Sequence, residues 1–139
     1  MMQAKKTFQP VSSNDVCQIY ELIRKQGMVA FKATPQQCQK IESLVTSITT
    51  PCFGIESYAT AELKAVAYLY LIIKNHPFTD GNKRTASLVF ATVCEINDLV
   101  PQYQDSTLDE LAVFIGKVQE PDHHRTITEI ANELFGSQS

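Results

Sequence analysis

The sequence predicts an all-α domain with at most one small hairpin. Apolar residues recur three and four positions apart through six segments, and several of these open on a residue able to cap a helix start. No alternating strand pattern is long enough to build a sheet; the stretch PCFGIESY, around Gly54, suits only a small hairpin or extended flap. The 139 residues are enough for one domain with a real core, and 44% hydrophobic with 19% charged residues is an ordinary globular balance.

Residues 1–11 are polar and end near a proline, which predicts a flexible arm ahead of a single domain over 12–139. A first helix starts near Ser13, with Val16, Ile19, Tyr20 and Ile23 on one face and Gly27 as its stop. Thr34-Pro35-Gln36-Gln37 opens a second as a capping box, which runs through Ile41, Leu44, Val45 and Ile48 to Pro51. The third, Thr60 to Asn75, has Leu63, Val66, Leu69, Leu71, Ile72 and Ile73 almost all round it, the mark of a central helix. Its partner, about Asn82 to Asp98, turns Ala86, Val89, Phe90, Val93 and Cys94 inward. Thr107-x-x-Glu110 and Thr126-x-x-Glu129 open two shorter amphipathic helices, the second ended by Gly136.

A net charge of -3 gives no general attraction to nucleic acid or anionic membrane, so any basic site is local, and no direct nucleic-acid partner is expected. No apolar run approaches a membrane span, and MMQAKKTFQPVSSND lacks an apolar signal core, so a soluble, cytoplasmic protein is expected. Cys17, Cys38, Cys52 and Cys94 are widely scattered, which favours buried thiols over a disulfide framework or zinc site. His123 and His124, in PDHHRT, are expected to be solvated in a polar loop.

The chemistry concentrates in NHPFTDGNKRTA, Asn75 to Ala86. Pro77 disfavours helical geometry at His76, so the central helix ends there and leaves the imidazole at its C-terminus. Gly81 allows a tight bend into the next helix, whose first N–H groups form an anion-binding geometry. Lys83 and Arg84 in that first turn oppose the helix macrodipole, a penalty that a bound phosphate reverses. Asp80 can hold Mg²⁺ on such phosphates, and His76, with an ordinary pKa near ~6.5, suits a general base. Phe78 reads as a core residue pinning the loop. The plain alternative is a tight turn with surface charges and a helix-ending histidine. A Walker A loop is excluded, since only one glycine precedes Lys83.

His76-Pro77-Phe78-Thr79-Asp80-Gly81-Asn82-Lys83-Arg84 resembles the Fic/Doc signature HPFx[D/E]GN[G/K]R at every defined position, and the resemblance extends over roughly residues 45 to 100. It implies a Fic/Doc-like helical fold and a nucleotide-dependent transferase acting on a Ser, Thr or Tyr hydroxyl of a target protein, with ATP as co-substrate and Mg²⁺. By position it implies His76 as general base, Asp80 as metal ligand, and Gly81, Asn82, Lys83 and Arg84 as phosphate cradle. PCFGIESY is similar in place to the family's flap, with Phe53, Gly54, Ile55 and Glu56 docking the target by strand addition.

Family members that transfer AMP usually read GNGRxxR, where this chain has Lys83 and Ser87. Both departures are shared with the kinase-like Doc branch, whose loop ends NKRTA, whereas Pro77 and Gly81 look more like the AMP-transferring branch. Phosphoryl transfer is favoured, and AMP transfer is the alternative. A non-catalytic binder of nucleotide or phosphate is a further alternative, against which His76 argues, because a binder needs no base. The family's inhibitory pattern [S/T]xxxE[G/N] does not occur, since no glutamate precedes Gly or Asn; the resemblance then implies a toxin with a separate antitoxin chain.

Overall fold

The structure is a computed structural model that describes residues 7–104 and 106–138. Among these residues it contains six helices and no strand: α1 (Ser13–Lys25), α2 (Pro35–Thr49), α3 (Ala61–Asn75), α4 (Asn82–Ile96), α5 (Leu108–Lys117) and α6 (His123–Phe135). None is long and apolar enough to cross a membrane.

Side-chain caps set most of the starts. Ser12 with Asp15, and Thr34 with Gln37, form reciprocal capping boxes, and Pro35 occupies the first turn of α2. Thr60 and Thr107 accept from the Leu63 and Glu110 N–H groups at 3.1 and 3.2 Å. The sixth helix begins a turn earlier than Thr126, because the Asp122 carboxylate caps the Arg125 N–H at 3.1 Å. His123 and His124 therefore lie in its first turn, and each has a partner. The His124 ring stacks on Tyr58 with centroids 5.3 Å apart and places Nε2 2.8 Å from the Ser57 carbonyl oxygen. His123 meets Tyr70 edge-on.

The central helix is α3, as its all-round apolar pattern requires: Ala65 through Tyr70 and Ile72 are fully enclosed. Helix α4 packs along it, α5 touches both, α6 and α2 pack on α3, and α1 bridges α2 and α4. Lys64, on α3, is buried without being unpaired. Its Nζ donates to the Tyr58 carbonyl at 2.6 Å and to Glu56 at 3.2 Å, and stands 5.6 Å from the centroid of the Phe8 ring.

Three expectations are corrected by long-range contacts. The arm expected over 1–11 is tied to the core from residue 7 onward, and residues 1–6 lie outside the described residues. Val11 is buried and exchanges two hydrogen bonds with the Tyr68 hydroxyl, while Gln9 exchanges two with the Asn97 side chain. The small hairpin before α3 reduces to a single bridge, Cys52 with Ile55, around a turn in which Phe53 and Gly54 take φ of 51° and 76°. The ladder stops there because the chain leaves α2 through Pro51, which lacks an N–H, and Lys64 draws Glu56 and Tyr58 toward α3. The cysteines also differ from a set of four buried thiols: Cys94 is buried, Cys52 is exposed, and Cys17 and Cys38 are half-buried with their sulfurs 3.0 Å apart.

Candidate active site

The loop from α3 to α4 is built around two left-handed residues. His76 closes α3 with φ 47° and ψ 56°, and Gly81 precedes α4 with φ 77° and ψ 14°. Glycine at 81 is required twice over: a side chain there would be strained at that φ, and its Cβ would lie 2.5 Å from Val29 Cγ2. Between these residues Pro77 and Phe78 point inward. Phe78 stacks on Tyr20 of α1 at 3.9 Å between centroids, and the Tyr20 hydroxyl donates to the Phe31 carbonyl at 2.6 Å. The loop is thus pinned to α1 by the residue expected to pin it.

Asn82 does the internal tying. Its side chain is buried; Oδ1 accepts from the Phe78 N–H at 3.0 Å and Nδ2 donates to the Phe78 carbonyl at 2.9 Å. The same Nδ2 lies 3.4 Å from His76 Nδ1, a long contact that is a hydrogen bond only when Nδ1 is unprotonated and accepts from the amide. The cradle expected of Asn82 is therefore limited to its backbone, since its amide is spent on the loop.

The start of α4 has no side-chain cap and no acidic residue in its first turn. The first helical bond runs from the Thr85 N–H to the Gly81 carbonyl, so the amides of residues 82–84 precede the helix's own bonding. Two exposed cations, Lys83 and Arg84, stand at this positive end. Asp80 is exposed, and its Oδ1 accepts from the Gly81 N–H at 2.8 Å. Lys83 leans across α5: its Cε and Nζ come within 3.0 and 3.4 Å of where a Cβ on Gly116 would sit, so that glycine makes room for the lysine.

These residues surround one cleft of about 430 Å³, lined by His76, Asp80, Gly81, Asn82, Lys83 and Arg84 together with Met28 and Thr79. The structure so brings together all six loop residues expected at the site. It does not bring in the proposed docking segment: none of Phe53, Gly54, Ile55 or Glu56 lines the cleft, although Phe53 and Ile55 are exposed. Sequence reasoning missed Met28, and it missed Gln37, whose Nε2 donates to Thr79 Oγ1 at 3.1 Å while its Oε1 accepts from the Thr34 N–H. Nothing in the local pattern near either residue signals a loop some forty or fifty positions away.

A family model described as the Fic/DOC family matches residues 10–94. The chain belongs to the Fic/DOC family. The match runs from before α1 almost to the end of α4 and includes the whole loop, whereas α5 and α6 lie beyond it. No curated protein and no solved structure matches the chain. Membership supports a Fic-type, nucleotide-dependent modification as the general activity of this Fic/DOC domain.

A metal fits the site only in company with a nucleotide. Among the described residues no three His, Cys, Asp or Glu side chains form a group able to hold a metal ion, and Asp80 is the one carboxylate lining the cleft. A single carboxylate suits Mg²⁺ that keeps its water and phosphate ligands.

Proposed function

We propose that this Fic/DOC protein transfers the γ-phosphoryl group of ATP to a Ser, Thr or Tyr hydroxyl of a target protein, in the manner of the Doc branch. The observation that carries this reading is the first turn of α4. Lys83 and Arg84 crowd an uncapped helix start, while Ser87, where AMP-transferring members carry a second arginine, lines a largely apolar hollow of about 390 Å³ together with Arg84, Ile23, Leu88, Ala91 and Leu108. No cation beyond Arg84 lines that hollow, so the charge available to phosphates is that of Lys83 and Arg84.

In this mechanism His76 takes the proton of the target hydroxyl, and the freed oxygen attacks the γ-phosphorus in line as the bond to ADP breaks. The α4 amides with Lys83 and Arg84 hold the phosphates and offset charge on the transferring group. Asp80 would hold Mg²⁺, which supplies charge neutralisation across the phosphates. Asn82 orients the imidazole through the 3.4 Å contact. Phe53, Gly54, Ile55 and Glu56 would dock the target by strand addition, with Phe53 and Ile55 offering exposed apolar side chains. A toxin role in the cytoplasm, restrained by a separate antitoxin chain, belongs to this reading.

AMP transfer is the second reading, favoured by Pro77 and Gly81, which follow the AMP-transferring pattern. Incubating the protein and a cell extract with ATP labelled at the α or the γ phosphate separates the two. The γ label should reach protein and the α label should not; strong α labelling would establish AMP transfer instead. Nucleotide binding with neither label transferred would leave a binding module. Lys83→Gly should lower γ transfer, because it removes a cation from the cradle.

A further inference from the structure

We infer that Cys17 and Cys38 are a reversible disulfide site that staples α1 to α2 and so stiffens the catalytic loop both helices hold. The two residues are 21 positions apart, yet the Cys17 thiol points at the Cys38 sulfur at 3.0 Å, and both side chains are half-buried and so within reach of a small oxidant. Bond formation needs the sulfurs to approach by about 1 Å, a side-chain adjustment. Burial, with Cys38 beside it, pushes the Cys17 thiol up to about 12, so Cys17 is not the sulfur that opens the exchange.

The pair is placed where a staple reaches the loop. Cys17 lies one helical turn before Tyr20, whose ring stacks on Phe78 and lies within 3.8 Å of where a Gly81 Cβ would sit. Cys38 follows Gln37, which donates to Thr79. Both supports of the loop are therefore next to the bridge, one on each helix.

The oxidant is a low-molecular-weight disulfide such as oxidised glutathione. The Cys38 thiolate attacks one of its sulfurs, giving a mixed disulfide and releasing one glutathione thiolate. Cys17 then loses its proton to solvent and attacks the Cys38 sulfur, expelling the second glutathione thiolate. Two protein thiols are oxidised by two electrons, one disulfide is reduced to two thiols, and the two protons pass to the released thiolates.

The test uses the full chain carrying Cys52→Ser, which removes the exposed thiol, equilibrated in mixtures of reduced and oxidised glutathione. Intact mass should show the loss of two hydrogens at oxidising ratios, reversed by reductant, with the Cys17 and Cys38 peptides linked. The bridged form should melt about 10 °C higher than the reduced form. Its amides over residues 78–82 should exchange with deuterium more slowly. Adding Cys38→Ser should abolish all three differences, and Cys38→Ala serves if the serine variant is poorly folded. Failure to bridge at the most oxidising ratio, or stable glutathione adducts in place of the bridge, would overturn the site. A bridge that leaves loop exchange unchanged would overturn the coupling. None of these readouts depends on which phosphate is transferred.

Discussion

His76 joins an exposed imidazole to a left-handed backbone that a β-unbranched residue adopts at a cost of roughly 1–3 kcal/mol. The following Pro77 and the Asn82 contact hold it there, so the ring is free of the core and available to a substrate hydroxyl. His76→Ala should lower transfer by ~10²–10⁴-fold while leaving the melting temperature and most nucleotide affinity in place. Near wild-type turnover in that variant would remove the base from the mechanism. Asn82→Ala should act on both stability and rate, since it strips partners from the buried N–H and carbonyl of Phe78. Roughly 2–4 kcal/mol should be lost in urea unfolding, with a fall in turnover as His76 loses its orienting contact. A variant of unchanged stability would mean that water or a shifted loop replaces the amide.

At the scale of elements, α3 carries the molecule and α4 presents the site. Tyr68 shows how α3 organises chain outside the helices: fully buried, its hydroxyl donates to the Val11 carbonyl at 2.8 Å and accepts from the Val11 N–H at 3.2 Å. Tyr68→Phe keeps the ring and removes both bonds, so it should destabilise the fold by about 1–3 kcal/mol. Amide exchange at Val11 should accelerate more than exchange within α3, and uniform acceleration would show that residues 7–11 do not loosen separately. The start of α4 is the opposite case. Its lack of a cap and its paired cations leave a helix end that an anion completes.

Over the whole molecule, core thiols and phenols set an alkaline limit. Burial pushes Cys94 from 9.0 to about 12 and Tyr68 from 10.0 to about 12. Each group is neutral when protonated, so the fold disfavours its ionised form and the unfolded chain releases the proton first. Stability is therefore fully present below about pH 9 and declines from there towards about pH 12, each group adding up to about 1.4 kcal/mol per pH unit within its own window. Urea midpoints measured across that range should fall, and Cys94→Ala should make the fall that begins near pH 9 shallower without moving its onset, because Cys17 is likewise raised from 9.0 to about 12. A flat profile through pH 11 would show that these groups ionise without loss of the fold.

The six helices, the centrality of α3 and the six polar and glycine positions of the loop were legible from local chemistry: apolar spacing, a cap within three residues, a proline that ends a helix. Tertiary structure alone decided the rest. Asp122 replaced Thr126 as the cap of α6, so the two histidines, exposed as expected, lie in a helix and not a loop, with their rings against Tyr58 and Tyr70. The arm from residue 7 was captured by Tyr68 and Asn97, and the hairpin was cut to one bridge by Pro51 and Lys64. Gly81 illustrates the division: the sequence marks a residue able to turn, but only the fold brings Val29 close enough to forbid any other. Cys17 and Cys38 are the fullest case, distant in the chain and touching in space, since contacts between helices follow from how their faces pack and leave no periodic trace.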